Sequence, residues 1–475
     1  MSILPACPCV VTYRRVSCRE GVLTHTLVYP ITASHNASGH LEIGGCDVVE
    51  LAAAFGTPLL IYDEESIRDQ CRRYREAFAL HTDDFEVIYA SKAFPALAID
   101  QLVLEEGLSI DVSSGGEYHI AKVAGFPPEK IFFHGNNKTR AELEYALAGG
   151  VGFIVVDSFQ ELTLLEQVLA ARGLPPGDRQ RILLRITPGI EAHTHTYIQT
   201  GQVDSKFGFG LVEGVALEAI RQALASPRLE LMGLHAHIGS QIFQLEAYRK
   251  AIEILVGLIA EAHDRLGFEC RYLNVGGGLG IRYTEEDTPS SIADYAAVKV
   301  EGVREEMAAR GLPMPRVLIE PGRSIVGKAG VTAYTVGTIK VVPGVRTYVS
   351  VDGGMSDNIR PMLYGAEYEG MLANKATRPA DTTVTVAGKH CESGDILLRD
   401  AVIAAPEPGD ILVMPATGAY CYAMASNYNG SLRPAVVMVK DGHARVIIER
   451  EDYNDLIAKH RPLHDESAWP GGGEG

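Results

Sequence analysis

FEVIYASKAFPAL, residues 85–97, begins with the apolar run Val87, Ile88, Tyr89 and Ala90, which reads as a buried strand. Where that strand should end stands Lys92, with Pro95 three residues further on. Taken alone, a lysine there marks the edge of a core and points into water. The neighbouring runs decide otherwise. Between residues 86 and 323 follow EVIYAS, LSIDVS, IFFHG, FIVVDS, RILLRI, LMGLHAHI, YLNVGG and RVLIEPG. Most are rich in Ile, Leu and Val with little polar alternation, as strands buried on both faces must be. Amphipathic stretches such as ELTLLEQVLAARG lie between them, several closing with glycine. Eight strand-then-helix units over about 240 residues predict a parallel (β/α)8 TIM barrel.

In such barrels chemistry gathers at the C-terminal ends of the strands. Here those ends carry Lys92, Asp111, His134, Asp157, Arg185, His235, His237, Gly276 to Gly278, Glu320 and Arg323. A purely structural barrel has no need of so many polar groups on one face, so Lys92 is read as functional. Past residue 330, AYTVGTIKVV, RTYVSVDGG, TVTVAG, ILVMPA and VVMVKDGHARVIIERE alternate apolar and polar residues between turns. They predict a second, mainly antiparallel β domain. The domain reading is a barrel over 59–328, a β domain from 41–58 plus 329–462, an unassigned extension over 1–40 and a flexible tail over 463–475. LLIYD (59–63) stands at the boundary and fits the β domain as well.

A chain of 475 residues exceeds one ordinary core. Its net charge of −17, without a long Lys/Arg cluster, argues against a nucleic-acid or anionic-membrane surface. No apolar run approaches the roughly 18 residues that span a bilayer. The N-terminus lacks a signal-peptide pattern, so a cytoplasmic location is expected. Eight scattered cysteines do not suggest a disulfide framework. Cys7, Cys9 and Cys18 match no zinc spacing, and no metal is expected.

NVGGGLG (274–280) follows a strand, so its backbone can approach a phosphate closely, although a glycine triplet is also simply a tight turn. HIGSQ (237–241) adds the Ser240 hydroxyl one strand earlier, and IEPGR (319–323) adds the Arg323 cation one strand later. A phosphate site there, with a lysine across the barrel mouth, points to pyridoxal phosphate. Lysine can bond its aldehyde, Glu320 can face the ring nitrogen, and His237 can stack on the ring. Singly, Glu320 reads as part of a Glu-Pro-Gly turn and His237 as a core histidine; together they require several coincidences.

From about residue 41 to 462 the chain resembles the diaminopimelate decarboxylases, of the alanine-racemase-like, fold-type III class of pyridoxal-phosphate enzymes. The matching stretches are YASKA, HGNNK, HTYIQTGQVDSKFGFG, HAHIGSQ, GGGLG, EPGR, SDNIRPMLYGA, CESGD and GAYCYAMASNYN. SDNIRPMLYGA, TGQVDSKFG and CESGD point to the diaminopimelate branch; residues 1–40 match nothing in the pattern.

The resemblance implies decarboxylation of meso-2,6-diaminopimelate to L-lysine and carbon dioxide, the last step of lysine biosynthesis. It implies Lys92 as the cofactor-linking lysine, His237 as the stacking residue, and Ser240, Gly278, Glu320, Pro321, Gly322 and Arg323 as cofactor contacts. Arg323, Arg360, Tyr364 and Glu392 would bind the substrate, Tyr420 would touch both, and Cys391 would return the proton. A substrate with a second amino-acid end needs both a cation and an anion. The resemblance also implies a homodimer in which Cys391 and Glu392 enter the neighbouring subunit's site. The alternatives are a decarboxylase of ornithine, lysine or arginine, with less use for Arg360, and a cofactor-binding relative without catalysis.

Overall fold

The computed structural model describes residues 11–12, 27–173, 178–190 and 205–463. Cys7, Cys9, Cys18 and the first half of TGQVDSKFG lie outside the described residues. The eight runs form the barrel strands β1 (Phe85–Ala90), β2 (Ser109–Val112), β3 (Ile131–Phe133), β4 (Phe153–Val156), β5 (Gln180–Thr187), β6 (Leu229–His235), β7 (Tyr272–Asn274) and β8 (Arg316–Ile319). Each pairs in parallel with the next, and β8 pairs with β1 to close the barrel.

Strand periodicity sorts the side chains. Val87, Tyr89, Phe133, Ile154 and Ile319 pack outward with the helices. The alternate residues Ile88, Phe132, Phe153, Val155, Leu183 and Leu318 form a separate inner cluster, in which the Phe132 and Phe153 rings stack at 4.5 Å. The barrel is therefore a packed core and not a pore. Truncating Phe132 to alanine would leave a void costing about 3–5 kcal/mol. Two residues beyond these inner positions come His134, Asp157, Arg185 and Glu320. An inward row that is apolar through the barrel thus turns polar at its C-terminal rim.

At Gly233 β6 presses on β7: a Cβ there would lie 1.7 Å from the Tyr272 carbonyl oxygen. The register shift between Ile182 and Leu183 sets His235 opposite Arg185.

The 13-residue strand Gly330–Val342 organises the second sheet, pairing antiparallel with Arg346–Val351, Ile411–Met414 and Leu59–Asp63. LLIYD is thus hydrogen-bonded into the β domain. Two pairs in this sheet are parallel, Leu59–Asp63 with Ala435–Lys440 and Arg346–Val351 with Thr382–Ala387. Val28 and Tyr29 are buried in a core of the same domain, so the described end of the 1–40 stretch packs against it.

Candidate active site

Lys92 stands in a single helical turn, Ser91–Ala93, directly after β1. Its side chain opens into a cavity of about 810 Å³ walled by the strand ends and by the β domain. Enclosure by the cavity walls works against its charge, although the side chain is open to solvent within the cavity, and Asp111, Tyr420 and Glu320 outweigh it and raise its pKa above the ordinary lysine value. Asp111 itself is pushed well above the carboxylate range by burial, with Lys92 pulling the other way.

Glu320 is buried and faces nitrogen atoms from three strand ends. Asn274 Nδ2 donates to Oε1 at 2.7 Å, and His235 Nε2 lies 3.0 Å from Oε2. His134 Nε2 is 2.9 Å from Oε1, though not aligned as a hydrogen bond. The ligand-capable atoms of His134, His235 and Glu320 all lie within 4.8 Å of one another, both imidazoles converging on the one carboxylate. Burial opposes ionisation of Glu320, yet the two histidines hold its pKa well below the ordinary value. It is a carboxylate fixed in the charged form. His237 is kept neutral, its pKa driven well down by desolvation and by Lys92 and Arg185. Its Nδ1 accepts from the Gly277 N–H at 3.3 Å.

Beside Lys92 a small niche is bounded by Ser240, Gly278, Gly322, Arg323 and Tyr420. Glycine is required here. A Cβ on Gly277 would lie 1.9 Å from the Glu320 carbonyl oxygen, and one on Gly278 (φ 101°) would lie 2.4 Å from that of Gly239. Arg323 Nη2 donates to Ser240 Oγ at 2.9 Å. A glycine cradle with a serine hydroxyl and a guanidinium suits a phosphate, and an ionised glutamate suits a protonated ring nitrogen. The residues therefore fit pyridoxal phosphate.

On the opposite wall Arg360 is 5% exposed, with its guanidinium 4.6 Å over the Tyr283 ring and bonded to the Tyr368 hydroxyl. The Tyr283 hydroxyl accepts from Arg323 Nη1, so one tyrosine bridges both arginines. Among the described residues no carboxylate pairs with either arginine. Two enclosed cations without an acidic partner form a site for an anion. Tyr364 lines the same cavity. Tyr420 has φ 61°, a left-handed backbone uncommon outside glycine, and its N–H bonds the Ala93 carbonyl at 2.8 Å. This contact brings the TGAYCY turn of the β domain to the barrel mouth.

Cys391 and Glu392 are not in the wall of this cavity. They lie on a surface loop held from beneath by the buried His390–Asp395 pair, Nδ1 to Oδ2 at 2.7 Å, and the Cys391 thiol is exposed. Sequence reasoning missed Asn274, Tyr283 and Tyr368. The only available signal for Tyr283 was its position five residues beyond the glycine triplet.

The pyridoxal-dependent decarboxylase, pyridoxal binding domain family matches residues 64–327. The chain is 50% identical over 432 residues to diaminopimelate decarboxylases of Halalkalibacterium halodurans and Bacillus subtilis, covering 91% of this chain and 98% of each relative. Its fold matches the crystal structure of diaminopimelate decarboxylase from M. jannaschii in co-complex with L-lysine, with TM-score 0.85 and 35% identity, covering 91% of this chain and 98% of that one.

Proposed function

The chain belongs to the diaminopimelate decarboxylases, pyridoxal-phosphate enzymes that convert meso-2,6-diaminopimelate to L-lysine and carbon dioxide, and we propose the following division of labour among its residues. When bound, pyridoxal phosphate supplies the electron sink that accepts the pair left as carbon dioxide departs. Lys92 holds the cofactor through its amine. Glu320 keeps a proton on the ring nitrogen, as its clamped negative charge favours. His237 offers a flat, uncharged face to the ring. Ser240, Gly278, Pro321, Gly322 and Arg323 shape the phosphate niche, with Tyr420 on its rim.

Arg360, with Arg323 and Tyr364, takes the distal carboxylate of the substrate. The observation that carries this reading is the pair of arginines left without an acid among the described residues. A substrate with one carboxylate would use it at the reacting end and leave Arg360 idle. Glu392 takes the distal ammonium, and Cys391 returns a proton to the α-carbon. Because both lie outside their own cavity, they serve the site of a second subunit in a two-fold homodimer. Exposed Met362, Leu363 and Tyr428, 40–45% accessible, flank that surface and support a subunit contact. The described cysteines Cys46, Cys71, Cys270, Cys391 and Cys421 are all free, which supports a reducing, cytoplasmic setting.

Turnover on a panel of meso-diaminopimelate, lysine, ornithine and arginine, with carbon dioxide and amine products identified, tests the assignment. Diaminopimelate should be strongly preferred. A preference for ornithine or lysine would overturn it.

A further inference from the structure

Lys299 is fully buried on the helix Ile292–Ala309, behind the glycine loop and outside the cavity. Among the described residues no carboxylate pairs with it. Its Nζ donates to the carbonyl of Val275 at 2.5 Å and to that of Gly276 at 2.8 Å. It lies over the rings of Tyr248 and Tyr295, 4.6 and 4.4 Å from their centroids. Burial drives its pKa well below the ordinary lysine value, with Glu320 pulling the other way. A neutral amine still has two N–H groups for these two carbonyls.

A buried amine among apolar and aromatic groups is costly to keep unless its bonds matter. Here they meet at one point. The Gly276 carbonyl accepts from Lys299, from the Tyr295 hydroxyl at 3.2 Å and from the Glu320 backbone N–H at 3.2 Å. The same loop presents Gly278 to the niche that Ser240 and Arg323 share. The back of the loop is therefore tied both to Lys299 and to the strand end that carries Glu320.

We propose that Lys299 is a positioning residue for the cofactor's phosphate, fixing the Gly276–Gly278 backbone by holding the carbonyls of Val275 and Gly276 from behind. This rests on the reading that the glycine loop belongs to the phosphate niche, and the test separates the two. The full-length protein, stripped of cofactor, is titrated with pyridoxal 5′-phosphate and, separately, with pyridoxal, which has no phosphate. The ratio of the two dissociation constants measures what the phosphate contributes.

Lys299→Met should shrink that ratio by about tenfold or more, and Tyr295→Phe, which removes a single hydroxyl bond to Gly276, by about threefold. Equal weakening of both ligands, or no change in the ratio, would reduce Lys299 to a structural role and overturn the proposal. Should Lys299→Met fail to fold, an unchanged ratio in Tyr295→Phe overturns it alone. Gly278→Ala is the control. If it leaves the ratio intact, the loop is not the phosphate site and the underlying reading fails. If it collapses the ratio while Lys299→Met does not, only the role of Lys299 fails.

Discussion

His235 Nε2 lies 3.0 Å from Glu320 Oε2, joining the ends of β6 and β8 across 85 positions of sequence. A carboxylate can only accept, so the imidazole donates, and the acid is held charged, as its proposed role beside a ring nitrogen requires. Glu320→Gln should keep the cofactor yet lose at least about 100-fold in turnover, roughly 3 kcal/mol of barrier. Cofactor content by absorbance and kcat on diaminopimelate check this. Near-normal turnover would mean that Glu320 does not face the ring.

The same contact sets a pH dependence. Burial pushes the His235 pKa down to about 4 from 6.5, although Glu320 pulls it upward. Between those values the unfolded chain binds a proton that the folded chain refuses, so this residue's contribution to stability falls as pH drops from about 6.5 to about 4. The loss over the whole window is on the order of 3 kcal/mol. Urea unfolding at pH 7 and pH 4.5 should show a smaller decline for His235→Gln than for wild type. Equal declines would contradict a buried neutral His235.

Arg360→Ala should lower kcat/KM for diaminopimelate by about 100-fold or more, since one partner of an enclosed charge-assisted pair costs a few kcal/mol. Cofactor affinity should stay unchanged. Arg360→Lys should restore only part of the loss, because a point charge cannot copy the guanidinium fork packed on Tyr283. A variant that turns over diaminopimelate normally would move the distal carboxylate elsewhere.

Mixing inactive Lys92→Ala with inactive Cys391→Ala under subunit exchange tests the shared site. A hybrid dimer holds one site with both defects and one with neither. Half the dimers are hybrids, so activity should recover toward roughly a quarter of wild type. No recovery despite demonstrated exchange would return Cys391 to its own subunit's site or remove it from catalysis.

Much of this was legible in the chain because barrel strands buried on both faces are continuous apolar runs, and a polar residue two places past an inward one marks the rim. His134, Asp157, Arg185 and Glu320 announce themselves that way, and Lys92 by standing just past the end of β1. Asn274 and Tyr283 do not, because each acts through a contact 40 to 46 residues away: Tyr283 with Arg323, Asn274 with Glu320. Lys299 was hidden for a different reason. On an amphipathic helix a lysine reads as a solvated charge, and only the fold turns it toward Val275 and Gly276. CESGD was recognisable as a motif, but its place on the surface, away from the cavity, follows only from the folded β domain.

In the proposed function, chemistry runs from Lys92 at the mouth of β1. Borohydride treatment of the purified protein should fix the cofactor covalently to the lysine that holds it, and peptide mapping then reads out which lysine that is. One labelled peptide, containing Lys92, together with loss of the visible absorption in Lys92→Ala, is the predicted result. Label on any other lysine, or visible absorption that survives Lys92→Ala, would contradict it.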